Sequence, residues 1–315
     1  MKKPKALLLT EGMHGMISQA EGMAKALNAD FSHKTIKLTF PWNYIPPKLT
    51  PILGLVLKDK INLIKDDSPD FIISCGRKSV IPSILLKKKN PNVFTIHIQN
   101  PKVSTKNFDV IIAPEHDSLK GVNILESKGA IHYITGPEIN NAKSYLNNRV
   151  NSQKIVSLIL GGPNKYYDFN LGQLIEVFNK VRYNFINKGF KIIVIPSMRT
   201  PKLIIDLAIK EFNKDGYVAN HIDKQAYLSS LALATYVVIT SDSTSMISEA
   251  AISGKPIFIA HMKAKKNNYR FKKFYKLFNE LGITRNLGQK VENWSYNQLN
   301  EAERIALIIK NKLKK

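Results

Sequence analysis

Five small polar residues, Ser241, Asp242, Ser243, Thr244 and Ser245, follow the apolar run ATYVVIT, and a short amphipathic stretch with one acid, Glu249, comes after them. A helix starting here leaves its first backbone amides free, and Ser241, Asp242 or Ser243 supplies the cap. Free amides at the positive end of a helix attract anions. The hydroxyls of Ser243, Thr244 and Ser245 add further donors. Glu249 stands one turn beyond Ser245 on the same helix face. A carboxylate there repels phosphate but accepts from a sugar diol. Phosphates at the helix start and a ribose one turn in describe a nucleoside diphosphate lying along the helix.

Other polar groups fall at the ends of apolar runs. In the second half these are Gly161-Gly162-Pro163-Asn164-Lys165 and Ser197-Met198-Arg199-Thr200. The glycines let backbone approach a phosphate, and Lys165 and Arg199 supply charge. In the first half they are Thr10-Glu11-Gly12-Met13-His14-Gly15, Gly76-Arg77-Lys78-Ser79, Gln99-Asn100-Pro101 and Glu115-His116-Asp117. Taken singly, each reads equally as a cap, a turn or a solvated cluster. Their recurrence at strand ends is what points to function, because open parallel sheets bind ligands beyond the carboxyl ends of their strands. His14, Glu11, His116 and Asp117 are the candidate general bases. Glu115-His116-Asp117 has no second cluster at metal-ligand spacing, so no metal site is expected.

These residues need strands and helices to position them. KALLLT (5–10), HKTIKLTF (33–40), DFIISC (70–75), VFTIHI (93–98), DVIIAP (109–114), VNIL (122–125) and IHYIT (131–135) read as strands. Helices are expected over 17–28 and 79–88, and a short one to about residue 65. FPWNYIPPKLTPILG (40–54) reads as a proline-rich loop. Residues 136–153 break the rhythm. Strands then resume at 154–160, 190–196, 235–240 and KPIFIA, with helices over 171–188, 202–212, 224–234, 267–281 and 296–313. Strands alternating with helices imply βαβ units and mostly parallel sheets. The expected organisation is an acceptor-side domain over 1–145, a nucleotide-binding domain over 146–295 and a C-terminal helix over 296–315 returning towards the first.

The 315 residues suit two domains. One cysteine, Cys75, excludes a disulfide framework, and no apolar run is long enough to span a membrane. No secretory signal pattern is present, so a cytoplasmic protein is expected. The net charge is +23, carried by 47 Lys and Arg against 24 Asp and Glu. Arginine is scarce and no nucleic-acid module is present, so nucleic acid is not an expected partner. The positive excess suits an anionic substrate or an anionic membrane surface.

SMISEAAISGKPIFI resembles the donor-site helix of glycosyltransferases with two Rossmann-like domains, the GT-B architecture. Over nearly its whole length the chain resembles the fission-factor family named for elongated mitochondria. TEGMHGMISQAEGMAKAL, DFIISCGRKS, TIHIQNPKV, FDVIIAPEHD, LILGGPNKYY, PSMRTP and TSDSTSMISEAAISGKP carry that match. The resemblance implies an α/β fold of two Rossmann-like parallel-sheet domains facing a cleft, with a C-terminal helical tail. It also implies a metal-independent transferase without a cofactor, using a nucleotide-diphosphate sugar, UDP-linked by expectation. Glu249 would hold the donor ribose. Gly161, Gly162, Asn164, Lys165, Ser197, Arg199, Ser241, Asp242, Ser243, Thr244 and Ser245 would surround the diphosphate. Gly12, Gly15, Arg77 and Gln99 would lie on the acceptor side. The acceptor would be a membrane lipid or an envelope glycan precursor, met at the inner face of a membrane. The alternatives are a non-catalytic membrane scaffold, or an epimerase or hydrolase on the same scaffold.

Overall fold

The computed structural model describes residues 3–59 and 68–314, with the His116 side chain also outside the described part. The chain divides into two compact units, Met1–Tyr133 with Asn300–Lys315, and Ile134–Leu299.

The first unit holds six parallel strands: β1 (Lys5–Thr10), β2 (Asp30–Thr35), β3 (Phe71–Cys75), β4 (Phe94–Ile98), β5 (Val110–Pro114) and β6 (Ile124–Ser127). Their order is β2-β1-β3-β4-β5-β6. Helices α1 (His14–Ala26) and α2 (Val80–Lys89) are its crossovers. All five residues of β3 are buried, as expected of a strand covered on both faces. The strand expected at 131–135 is not formed. That segment instead runs flat over α1 at Gly22, where an added Cβ would stand 2.2 Å from the His132 carbonyl oxygen. Its buried Ile131 joins the core of this sheet. The short helix expected to about residue 65 falls largely outside the described residues; before it, Gly54–Val56 forms one 3-10 turn.

The second unit begins with α3 (Gly136–Asn141) and α4 (Ser144–Val150) and continues β7 (Ile155–Leu160), α5 (Leu171–Asn184), β8 (Lys191–Pro196), α6 (Lys202–Phe212) and β9 (Gly216–Val218). Then come α7 (Lys224–Leu233), β10 (Tyr236–Thr240), α8 (Thr244–Ala251), β11 (Ile257–Ala260), α9 (Tyr269–Glu280) and β12 (Thr284–Asn286). The strand order is β12-β11-β10-β7-β8-β9, all parallel. This is the doubly wound order of dinucleotide-binding sheets. The three-residue edge strands β9 and β12 are too short to show a periodicity in sequence.

The units divide at 133/134 and 299/300, where the sequence suggested 145/146 and 295/296. Residues 136–150 fold as two helices packed on α7, so they belong to the second unit. The final helix, α10 (Glu301–Leu313), packs on α1 and buries Ala302, Ile305, Ala306 and Ile309 in the first sheet's core. Its first residue, Glu301, is buried and accepts the Lys128 backbone N–H at 2.7 Å and two Arg304 N–H groups at 2.7 Å.

Candidate functional site

In the second sheet β7 lies between β8 and β10, so the chain reverses its direction of winding there. The C-terminal ends of β7 and β10 form the crevice that such a switch point leaves open. They deliver Gly161-Gly162 and Ser241-Asp242 side by side.

Asp242 organises this crevice. Its carboxylate is buried, accepting from the Thr240 hydroxyl at 2.7 Å, the Gly162 N–H at 3.0 Å and the Arg199 guanidinium at 2.7 Å. Thr240 in turn accepts the Gly161 N–H at 2.8 Å. The sequence suggested glycines that leave room for a phosphate. The structure puts this chain's own atoms in that room. A Cβ on Gly161 would stand 2.1 Å from both Asp242 carboxylate oxygens, and one on Gly162 would stand 2.0 Å from the Arg199 carbonyl oxygen. Arg199 likewise spends much of its fork internally, with a second N–H donated to the Gly162 carbonyl at 2.7 Å. It holds the glycine turn shut as well as supplying charge.

Around this centre the loops are tied together. Asn164 donates to the Asp242 carbonyl at 3.0 Å and accepts the Tyr166 and Tyr167 N–H groups at 2.7 and 3.1 Å. The Ser197 N–H donates to the Thr200 hydroxyl at 2.8 Å, and that hydroxyl lies 2.6 Å from the Gly161 carbonyl oxygen. Ser241 accepts the Met262 N–H at 2.9 Å on its side chain, and its carbonyl accepts the Tyr275 hydroxyl. Burial raises the Tyr275 phenol, so it stays a donor. Lys165 is exposed, its ammonium 4.9 Å from the Tyr166 ring centroid.

Of the three possible caps, Ser243 is the one used, its hydroxyl accepting the Met246 N–H at 3.3 Å. Thr244 and Ser245 are the first two residues of α8, and their amides have no acceptor among the described residues. One turn on, Glu249 is half-buried and accepts the Tyr227 hydroxyl at 3.1 Å. Burial pushes its carboxyl up to about 7, a rise that the Tyr227 bond opposes. Its second oxygen has no donor among the described residues, and two vicinal hydroxyls would suit the carboxylate.

The first sheet has its own switch point, between β1 and β3. Glu11 follows β1 and accepts the Lys78 N–H at 3.0 Å, with the Lys78 ammonium 3.5 Å away. It therefore closes the turn after β3, and Gly76 (φ +94°) gives it room. Gly12 (φ +84°) turns the chain into α1, whose first residues His14 and Gly15 are exposed and whose N-terminus has no side-chain cap. The His14 ring stands edge-on to Tyr133 at 6.2 Å. Arg77 donates to the Ile45 and Asn43 carbonyls. Gln99 takes a left-handed conformation (φ 85°) after β4 and donates its N–H to Ile112 at 2.8 Å. Asp117 lies in the 3-10 turn Glu115–Asp117, where the His116 side chain is outside the described part.

Three contributors escaped the sequence reading. Thr240 looked like one more strand residue, and Tyr227 and Tyr275 lie in helices far along the chain from the residues they reach. Thr200 stood in a strand-end run but was given no role there. Only the fold brings them in. Among the described residues no group of three His, Cys, Asp or Glu side chains is placed to hold a metal ion.

The family model described as mitochondrial fission ELM1 matches residues 14–313. The uncharacterized protein RP120 of Rickettsia prowazekii is 27% identical, covering 92% of this chain and 94% of its own. The mitochondrial fission protein ELM1 of Arabidopsis thaliana is 25% identical, covering 84% of this chain and 70% of its own. Solved structures share the fold at low identity. The UDP-GlcNAc 2-epimerase of Neisseria meningitidis, bound to UDP-GlcNAc, superposes with a TM-score of 0.55 at 10% identity, covering 99% of this chain and 100% of that one. The Methanocaldococcus jannaschii UDP-GlcNAc 2-epimerase, in complex with UDP-GlcNAc and UDP, gives 0.52 at 14%, covering 98% and 99%. The glycotransferase of kitacinnamycin gives 0.53 at 10%, covering 99% and 100%. The fold is thus that of the GT-B glycosyltransferases and epimerases.

Proposed function

The chain belongs to the mitochondrial fission ELM1 family, and from that premise we propose that it is a GT-B-type glycosyltransferase that takes its sugar from a nucleoside diphosphate, UDP by analogy with its structural neighbours. The observation that carries this reading is the pairing on α8. Unclaimed amides at Thr244 and Ser245 stand at a sheet switch point, and the half-buried Glu249 carboxylate stands one turn further on.

The diphosphate would take the Thr244 and Ser245 amides and hydroxyls, with Lys165 and the outer part of Arg199 adding charge. Glu249 would accept from the ribose hydroxyls. In transfer, the acceptor oxygen bonds to the anomeric carbon as the bond from that carbon to the diphosphate breaks. The electron pair leaves with the nucleotide, where helix amides stabilise it without a metal. The acceptor proton passes to a base. The candidates for that base are the four the sequence offers, His14, Glu11, His116 and Asp117. The acceptor would be a membrane lipid or envelope glycan precursor, in keeping with the basic charge of the chain. No helix among the described residues is long and apolar enough to cross a membrane, so contact with one would be peripheral.

A thermal-shift panel of nucleoside diphosphates and their sugars tests the site. A ligand at about 100 times its Kd adds about 2.7 kcal/mol to stability. UDP or a UDP-sugar raises the melting temperature of the wild type, and Glu249→Ala removes that rise. No shift with any nucleotide sinks the reading and leaves a non-catalytic scaffold. Because two of the structural neighbours are 2-epimerases, the UDP-sugar is also incubated without acceptor. An inverted sugar formed there would turn the assignment to an epimerase, and free UDP and sugar to a hydrolase.

A further inference from the structure

Residues 38–57, which follow β2, are tied together across their own span. Leu38 bridges Leu57, the Thr39 N–H donates to Val56 at 2.9 Å, and the Thr39 hydroxyl donates to the Leu55 carbonyl at 3.0 Å. The Thr50 hydroxyl donates to Pro46 at 3.0 Å. Arg77, the second residue after β3, clamps the loop by donating to the carbonyls of Asn43 and Ile45. Inside, Val56 is buried against Ile81 and Ile84, with Trp42 and Ile52 packed on the same cluster. The loop is therefore fixed in place by hydrogen bonds and by packing on α2 and β5.

Its outer side chains are apolar. Phe40 is 83% exposed, Tyr44 78%, Leu49 70%, Leu55 63% and Leu53 52%. The Thr39 contacts set Phe40 beside Leu55 at the base of the loop. Soluble chains rarely hold so many large apolar side chains in water along one short segment unless something covers them. The charge nearby says what. Residues 31–58 contain four lysines, Lys34, Lys37, Lys48 and Lys58, and no aspartate or glutamate. Exposed aromatics and leucines in a basic setting suit the headgroup level of an anionic bilayer.

We propose that this clamped loop is a membrane-docking surface, which sets Phe40, Tyr44, Leu49, Leu53 and Leu55 into the interface of an anionic lipid bilayer. The loop leaves the C-terminal end of β2, and its clamp follows the C-terminal end of β3. Docking thus occurs at the same edge of the first sheet as Glu11, Gly12 and His14. If the transferase reading holds, a lipid-borne acceptor arrives at that edge. The docking itself does not depend on that reading, and it is measured without nucleotide.

The test is co-sedimentation of the whole chain with vesicles of equimolar phosphatidylglycerol and phosphatidylcholine. Wild type binds, and binding weakens on pure phosphatidylcholine and with added salt. A triple variant, Phe40→Ser with Tyr44→Ser and Leu49→Ser, binds roughly tenfold or more weakly, because the apolar area that would enter the interface is gone. Its melting temperature stays at the wild-type value, since the three side chains are solvent-exposed. Arg77→Met, which frees the loop while leaving its apolar residues, also weakens binding. Equal binding by the triple variant and wild type overturns the proposal and leaves a purely electrostatic attachment through the lysines. A wild type that ignores vesicles overturns it too. If that wild type also forms a dimer that the triple variant dissolves, the patch is an interface between two copies of the chain.

Discussion

Gly161→Ala is a sharp perturbation of the β7–β10 crevice. The new methyl carbon would lie 2.1 Å from both Asp242 carboxylate oxygens, where real contacts do not fall below 3.0 Å. Either the carboxylate or the β7 turn must shift by about an ångström. The carboxylate is fixed by Thr240, Gly162 and Arg199 at 2.7, 3.0 and 2.7 Å, so moving it breaks those bonds. Disrupting a buried ion pair costs about 3–5 kcal/mol. The Arg199 side chain is 38% exposed and regains water, which trims the cost to about 3 kcal/mol. For a unit of this size that lowers the melting temperature by roughly 6–12 °C. Asp242→Ala, which strands the same donors, costs a similar amount. The decisive measurement is the double variant. With the carboxylate gone the methyl group has room, so both changes together cost little more than one, and the cycle shows a coupling of about 2–3 kcal/mol. Urea unfolding followed by tryptophan fluorescence reads it. The chain has two tryptophans, Trp42 and Trp294, one in each unit, and Trp42→Phe leaves Trp294 to report the second unit alone. Additive costs would show that Asp242 and Gly161 do not share the space that the structure gives them.

Two further outcomes follow from single residues. In the folded chain burial moves the Glu249 carboxyl from its ordinary 4.5 to about 7, so between those values the native state holds a proton that the unfolded chain has lost. This group therefore favours folding least at high pH: stability falls as pH rises from about 4.5 through about 7, by up to about 3 kcal/mol, and Glu249→Gln flattens that slope in urea titrations. If Glu249→Gln keeps the wild-type slope, the shifted group lies elsewhere. Gly22→Ala drives a methyl carbon to 2.2 Å from the His132 backbone oxygen, which cannot swing aside as a side chain can. It should cost about 2–3 kcal/mol, read as a lower urea midpoint with Trp42 as the reporter, and an unchanged midpoint would mean that residues 131–133 do not press on α1.

Much of the fold was legible because its signals are local. The apolar runs of β3, β7 and β10 are buried on both faces and read as strands without help. Ser243 through Ser245 announced a helix start by residue type alone. Illegible features were those that depend on what lies across the sheet. IHYIT has the composition of a strand, yet Gly22 on α1 offers it a flat seat, and packing overrode propensity. The pair Gly161-Gly162 read as space kept for a ligand. In the fold Gly161 keeps space for the Asp242 carboxylate and Gly162 for the Arg199 backbone, residues far along the chain that no spacing rule connects to them. Glu249 carried the opposite ambiguity, since an acid on an amphipathic helix is usually solvated. Here the Tyr227 hydroxyl and the surrounding burial hold it back from water.

That contrast separates the two acids of the crevice by what each has left to bind. Asp242 has three donors on a buried carboxylate, with Arg199 neutralising its charge, so it has little more to accept and serves to hold the turn. Glu249 has one hydroxyl donor and a carboxyl lifted to about 7, so ionising it near neutral pH leaves capacity that the folded chain does not fill. A group left in that state costs stability, and a ligand that brings two hydroxyls recovers it. Asp242 holds the crevice together, and in the proposed function Glu249 is the group that meets the ligand. A ligand that donates to Glu249 also draws its carboxyl back towards ionisation, so binding at pH 6 should release protons to the buffer. Calorimetric titration of a UDP-sugar, which carries no phosphate that titrates near pH 6, in buffers of different ionisation enthalpy reads that release, and a heat that is the same in every buffer would show that Glu249 does not meet the ligand.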